Sequence, residues 1–171
     1  LDLVYDYQMT QYPEAATWLG YAGQNDRWTD YSPEAIEQRN RDSRTLLKAV
    51  ETISVDSLGE SAILDFQLFH KDLSANVAAQ AFPDELMPIN QMGGVQQDLA
   101  QMISLMPSRK LTDYRDIIAR LESADSLIMQ TIVLMKQGLE AGITPPAITL
   151  RDVPQQVLNQ VPEDVSKSPL Y

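Results

Sequence analysis

Apolar residues in this chain recur at the helical period, segment after segment, with prolines and glycines cutting the segments apart. Val95, Leu99, Met102, Ile103 and Met106 fall at i, i+4, i+7, i+8 and i+11, one face of a 3.6-residue repeat that stops at Pro107. Ile36, Ser43, Leu47 and Val50 share the face of an earlier helix, reaching to about Ile53. Ser32 caps it and Pro33 opens it, where the missing N–H costs nothing. After Gly59 the stripe is Ile63, Phe66, His70, Leu73 and Val77, ending before Phe82-Pro83. No stretch alternates at the strand period, and no βαβ pattern appears. The chain therefore reads as all-α.

The remaining segments fit that class. Leu1 to Gln8 reads as a first helix, and "PEAATWLG" as a short turn of helix stopping at Gly20. "YAGQNDRWTDY" is a loop, and "PDELMPIN" a loop or a single helical turn. The longest helix starts at Thr112 as N-cap, with Asp113 and Asp116 at the positive end of its dipole. Its expected buried face is Tyr114, Ile117, Ile118, Leu121, Ile128, Ile132, Met135 and Leu139, and Gly142 is its left-handed cap. Thr144, Pro145 and Pro146 begin a last helix carrying Ile148, Val153, Val157 and Val161, and "PEDVSKSPLY" is a polar exit. Residues 1–171 are read as a single helical region.

Charge and residue inventory exclude several functions. The net charge is −11, from 24 acidic and 13 basic residues. The basic residues are scattered, so no nucleic acid or anionic membrane is expected as partner, since both need clustered Lys and Arg. No run is long enough to span a membrane. There is no cysteine, which removes disulfides, thiol catalysis and thiolate zinc sites. His70 is the single histidine, and it lies on an apolar stripe. A catalytic zinc takes two or three His, or two His and a Glu, so no metal site is expected within this chain. Paired acids such as Asp84-Glu85, Asp113/Asp116 and Glu163-Asp164 read as solvated caps and turns. "DRWTDYSPEAIE" lacks the central glycine of an EF-hand. No catalytic residue is assigned.

Seven methionines could form an adaptable surface, but Met102, Met106, Met129 and Met135 fall on core stripes and read as gap-fillers. Trp18, Trp28 and the nearby tyrosines could line a groove, or anchor one helix on another. "NQMGGVQQDL" looks most like a site. Its glycine pair matches neither GxGxxG nor a P-loop, and no Lys or Arg lies between Lys71 and Arg109 to meet a phosphate. What it permits is close backbone approach, by a helix or by a bound peptide. Asn90, Gln91, Gly93, Gly94, Gln96 and Gln97 are the candidate substrate-cleft residues, because neutral amides suit a peptide backbone better than an anion.

"YPEAATWLG", "SPEAIEQRNRDSRTLLKAV", "MPINQMGGVQQDLAQMI", "LTDYRDIIARLE" and "MKQGLEAGITPP" occur in the order of one bacterial family. From Tyr12 to Tyr171 the chain resembles the Domain of Unknown Function 885 family. That family is similar to helical zinc metallopeptidases of the carboxypeptidase Taq and thimet oligopeptidase group. The resemblance implies an N-terminal helical half of such a hydrolase, shaping a substrate cleft within a larger gluzincin-like fold. Zinc and its HExxH motif would lie in a C-terminal half, which would be the chain's partner, with a peptide as substrate. Many relatives are exported lipoproteins, which implies the periplasm or cell envelope, with the cytoplasm as the alternative. One departure is Ala147 where a basic residue is expected soon after Pro145-Pro146; Arg151 is the next cation. The rival expectation is a self-contained helical binding module without enzymatic activity.

Overall fold

The computed structural model describes residues 1–170, and among them there are α-helices and short 3-10 turns but no strand. The chain divides into two compact units. One comprises Leu1–Tyr31 with Glu85 onward, the other Ser32–Asp84.

The second unit is a helical pair. Helix α3 (Pro33–Glu51) has Ser32 as its N-cap, whose hydroxyl accepts from the Ala35 N–H, as its Ser-Pro start requires. Helix α4 (Glu60–Ala79) returns antiparallel to it. Arg44 donates to Gln80 at one end of the pair, and His70 lies 3.9 Å from Glu51 at the other.

The first unit starts with α1 (Asp2–Gln11) and α2 (Pro13–Leu19). Gly20 ends α2 in the left-handed conformation. A loop leads out to Tyr31, and the chain re-enters the unit at Glu85. Helix α5 (Val95–Leu105) buries Leu99 and Met102, and Met106 just beyond it, three of the five stripe residues, together with Gln96; Val95 and Ile103 are half-buried. It packs on α2 and on α7 (Ala124–Ala141), and α7 packs on α6 (Leu111–Glu122). The chain ends through α8 (Ala147–Leu150) and α9 (Val153–Gln160), and α9 packs on α5. Among the described residues no helix is long and apolar enough to cross a membrane.

Several details differ from the sequence reading. The expected last helix is two, α8 and α9, and of its apolar residues only Val153 is buried, with Ile148, Val157 and Val161 exposed. The expected longest helix is two helices, α6 and α7, parted at Ser123, whose hydroxyl donates to the carbonyls of Ala119 and Arg120. The N-cap of α6 is Lys110 rather than Thr112. Asp113 is buried, not solvated, and accepts from the N–H groups of Arg109 and Lys110. The buried face of α7 is Ala124, Leu127, Thr131, Leu134 and Gly138, whereas Ile128, Met135 and Leu139 are exposed, as are Tyr114 and Ile118 on α6. Met129 is exposed as well, so of the four methionines only Met102 and Met106 fill the core. The reason is close approach: a Cβ on Gly138 would stand 2.6 Å from the carbonyl oxygens of Leu86 and Ile143. Small residues set which side of this apolar helix goes inward. Gly142 caps α7 in the left-handed conformation, as expected.

Candidate functional site

The glycine turn precedes α5. Gly94 has φ 123° and ψ 171°, a region essentially closed to other residues. A Cβ there would lie 2.7 Å from Gln96 Oε1 and 2.8 Å from Ile89 Cγ2, while Gly93 has open space. The amides around the pair are engaged with the chain's own backbone. Gln96 Nε2 donates to the carbonyls of Asn90 (2.9 Å) and Gly93 (3.2 Å). Both Gln97 Nε2 and Gln156 Nε2 donate to the Gln91 carbonyl at 3.1 Å. The Gln91 N–H donates to the Thr149 carbonyl at 2.8 Å, tying the turn to α8. The Asn90 N–H donates to the Gly93 carbonyl, and Asn90 Oδ1 accepts from the Met92 N–H. Of the six sequence-selected residues, Asn90, Gln91, Gly93 and Gly94 form the turn, and Gln96 and Gln97, in the first turn of α5, bond back to it. Two of their buried oxygens, Gln91 Oε1 and Gln96 Oε1, have no hydrogen-bond partner.

One of the six, Gly94, also lines a cavity of about 420 Å³ that lies wholly within the first unit. That volume is in the range of small-molecule sites. The walls are aromatic and aliphatic: Trp18, Trp28, Tyr31, Met102, Leu127 and Leu134. Three carboxylates, Glu14, Glu85 and Asp98, line it too, and none forms an ion pair among the described residues. Glu14 accepts from the Thr29 N–H and hydroxyl. Asp98 accepts from the Gly94 N–H at 3.1 Å. Its carboxyl is held above the ordinary carboxylate range, chiefly by desolvation, with the Gly94 N–H opposing and the Glu14 charge adding to the shift.

The loop that brings Trp28 and Tyr31 to the cavity has no regular structure and is fixed by side chains of α6 and α7. Arg120 is fully buried, with its guanidinium donating to the carbonyls of Gln24 (2.9 Å) and Arg27 (3.0 Å) and to Thr17 Oγ1 (3.0 Å). It lies 5.1 Å from the centre of the Trp28 ring, and the Trp28 indole N–H donates to the Arg120 carbonyl at 2.7 Å. Gln130 accepts from the Tyr31 N–H and donates to Asp30, each at 2.8 Å. Trp28 therefore both anchors and lines a wall. The carboxylates Glu14 and Asp98 carry no signal in the sequence, because the cavity draws on segments from Glu14 to Leu134.

His70 is on α4, with its Nε2 3.9 Å from Glu51 and its ring stacked on Phe66 at 6.0 Å. Among the described residues no three His, Asp or Glu side chains come together as metal ligands, so they do not fit a zinc ion.

A search of curated proteins finds no match. The sequence profile of the bacterial proteins of unknown function grouped as DUF885 matches residues 13–171, and the chain belongs to that family.

Proposed function

We propose that this chain is the helical, non-catalytic part of a zinc-peptidase-like hydrolase, and that it helps shape the substrate cleft. The zinc and the glutamate that activates its water would belong to a C-terminal half, the chain's main partner. The turn of Asn90, Gln91, Gly93, Gly94, Gln96 and Gln97 would hold the cleft wall in shape, with peptide bound beside it. The setting would be the periplasm or cell envelope.

The observation that carries this reading is an unpartnered apolar face. Leu111, Tyr114 and Ile118 fall at i, i+3 and i+7 on α6 and are 67%, 52% and 53% exposed. Met129 and Val133 are further exposed apolar residues, on α7. Exposed apolar side chains along one face of a helix, as on α6, suit a protein interface. It is the surface that a second helical half would cover.

The test is light scattering of the purified chain over a range of concentrations, beside a Tyr114→Lys, Ile118→Lys variant. The wild type should self-associate or bind an added C-terminal half, and the variant should do neither while keeping its helical circular dichroism. A wild-type chain that stays monomeric and ignores that half would contradict the reading. A self-contained binding module is the second reading, favoured by a cavity that this chain lines unaided. A stop codon directly after Tyr171 would favour the module, and an open frame leading to HExxH the hydrolase.

A further inference from the structure

We propose that the cavity between α2, α5 and α7 is a binding site for an organic cation, a primary ammonium carried on an apolar or aromatic group. Two features point the same way. Trp18, Trp28 and Tyr31 line the walls, and a cation over an aromatic face is attracted by the ring quadrupole. Trp18 is 64% exposed, so its indole is not consumed by packing. The same walls carry Glu14, Glu85 and Asp98, with no Lys or Arg lining them. Arg120 lies over the Trp28 ring but does not line the cavity, and its guanidinium is committed to main-chain carbonyls and to Thr17 rather than to a carboxylate.

Apolar walls whose carboxylates form no ion pair among the described residues, with Arg120 acting on Glu14 only at longer range, select against anions and discriminate a cation from its neutral isostere. An anion would meet three like charges. A neutral apolar molecule would gain only wall contact, shielding Glu14 and Asp98 from water while leaving them only the Thr29 and Gly94 donors they already have. An ammonium on an aryl or alkyl group satisfies both, and about 420 Å³ is room enough for a group of that kind. The ammonium could come from the free amino terminus of a peptide or from a lysine side chain. The site needs neither zinc nor a C-terminal half, so it can hold or fail independently of the hydrolase reading.

Trp18 and Trp28 are the only tryptophans of the chain, so intrinsic fluorescence reports on this cavity directly. The experiment titrates the full chain with 2-phenylethylamine, its N-acetyl derivative and 3-phenylpropionate. Saturable change with the amine, about tenfold weaker with the acetyl derivative and absent with the carboxylate, is expected. Glu85→Gln and Glu85→Gln, Asp98→Asn variants, checked by circular dichroism, should lose that preference stepwise while still binding the neutral analogue. Two further arms assign the source. They are phenylalaninamide at about pH 6, below an α-amino pKa of about 7.7, and Nα-acetyl-lysinamide; the tighter binder identifies it. Equal affinity for amine and acetyl derivative, no saturable response to any cation, or a preference unchanged in the folded double variant would each overturn the proposal.

Discussion

Replacing Arg120 with methionine tests how the Trp28 loop is held. The side chain is fully buried, yet no carboxylate pairs with it directly; Glu14, Asp26 and Asp116 act on its charge only at longer range. Its stabilisation comes from a fork of donors. Two bonds to the carbonyls of Gln24 and Arg27, at 2.9 and 3.0 Å, contribute about 1.5–3 kcal/mol each, as bonds from a charged donor. Contact with the Trp28 ring adds about 1 kcal/mol. Methionine fills much of the same volume and avoids desolvating a charge, which returns several kcal/mol. The net expectation is a loss of about 3 kcal/mol, because the two carbonyls stay in place without donors. For a chain of this size that lowers Tm by roughly 6–12 °C. Arg120→Lys should not restore stability, since an ammonium cannot reach both carbonyls in the planar geometry of a guanidinium. Urea unfolding followed by tryptophan emission and by circular dichroism measures both variants. A loss below about 0.5 kcal/mol in the methionine variant, or full stability in the lysine variant, would refute the fork argument.

Other substitutions separate the glycine pair and titrate the cavity wall. Gly94→Ala must place a Cβ 2.7 Å from Gln96 Oε1 at a φ of 123°, and should cost about 2–3 kcal/mol in thermal or urea unfolding. Gly93→Ala meets open space and should change stability by less than about 0.5 kcal/mol in the same assay. Burial raises the Asp98 pKa above 3.8, so the folded chain holds that proton more tightly than the unfolded one. The carboxylate's cost is absent below the unfolded pKa and grows as pH rises through the raised folded value. Asp98→Asn should therefore become more stable relative to wild type as pH rises above the ordinary carboxylate range, with no gain at lower pH, in urea unfolding at stepped pH.

The helix pattern was legible because proline and glycine mark its boundaries. Ser32-Pro33, Gly59, Pro107 and Gly142 lie where the sequence places starts and stops. The inward face of α7 was not, because Leu127, Ile128, Ile132, Val133, Leu134 and Met135 make that helix apolar on nearly every side. Periodicity then offers no preferred direction, and contact at Gly138 chooses. The break at Ser123 also lacks a sequence signal, since neither proline nor glycine is near it. Local spacing found the glycine turn, because Gln96, Gln97 and Asn90 bond within a few residues of it; its ties to Thr149 and Gln156 carry no such signal. The cavity was beyond such reading. Its carboxylates come from α2, the segment at Glu85 and α5, and only the tertiary fold brings them to the same walls.

Zinc titration of the purified chain by calorimetry tests the central claim, that these helices support a hydrolase without themselves holding its metal. A chain whose one imidazole stacks on Phe66 beside the single carboxylate of Glu51, with no cluster of three ligand side chains among the described residues, should take up no stoichiometric zinc and cleave no peptide. One tight zinc per chain, with peptide cleavage that a chelator abolishes, would contradict it.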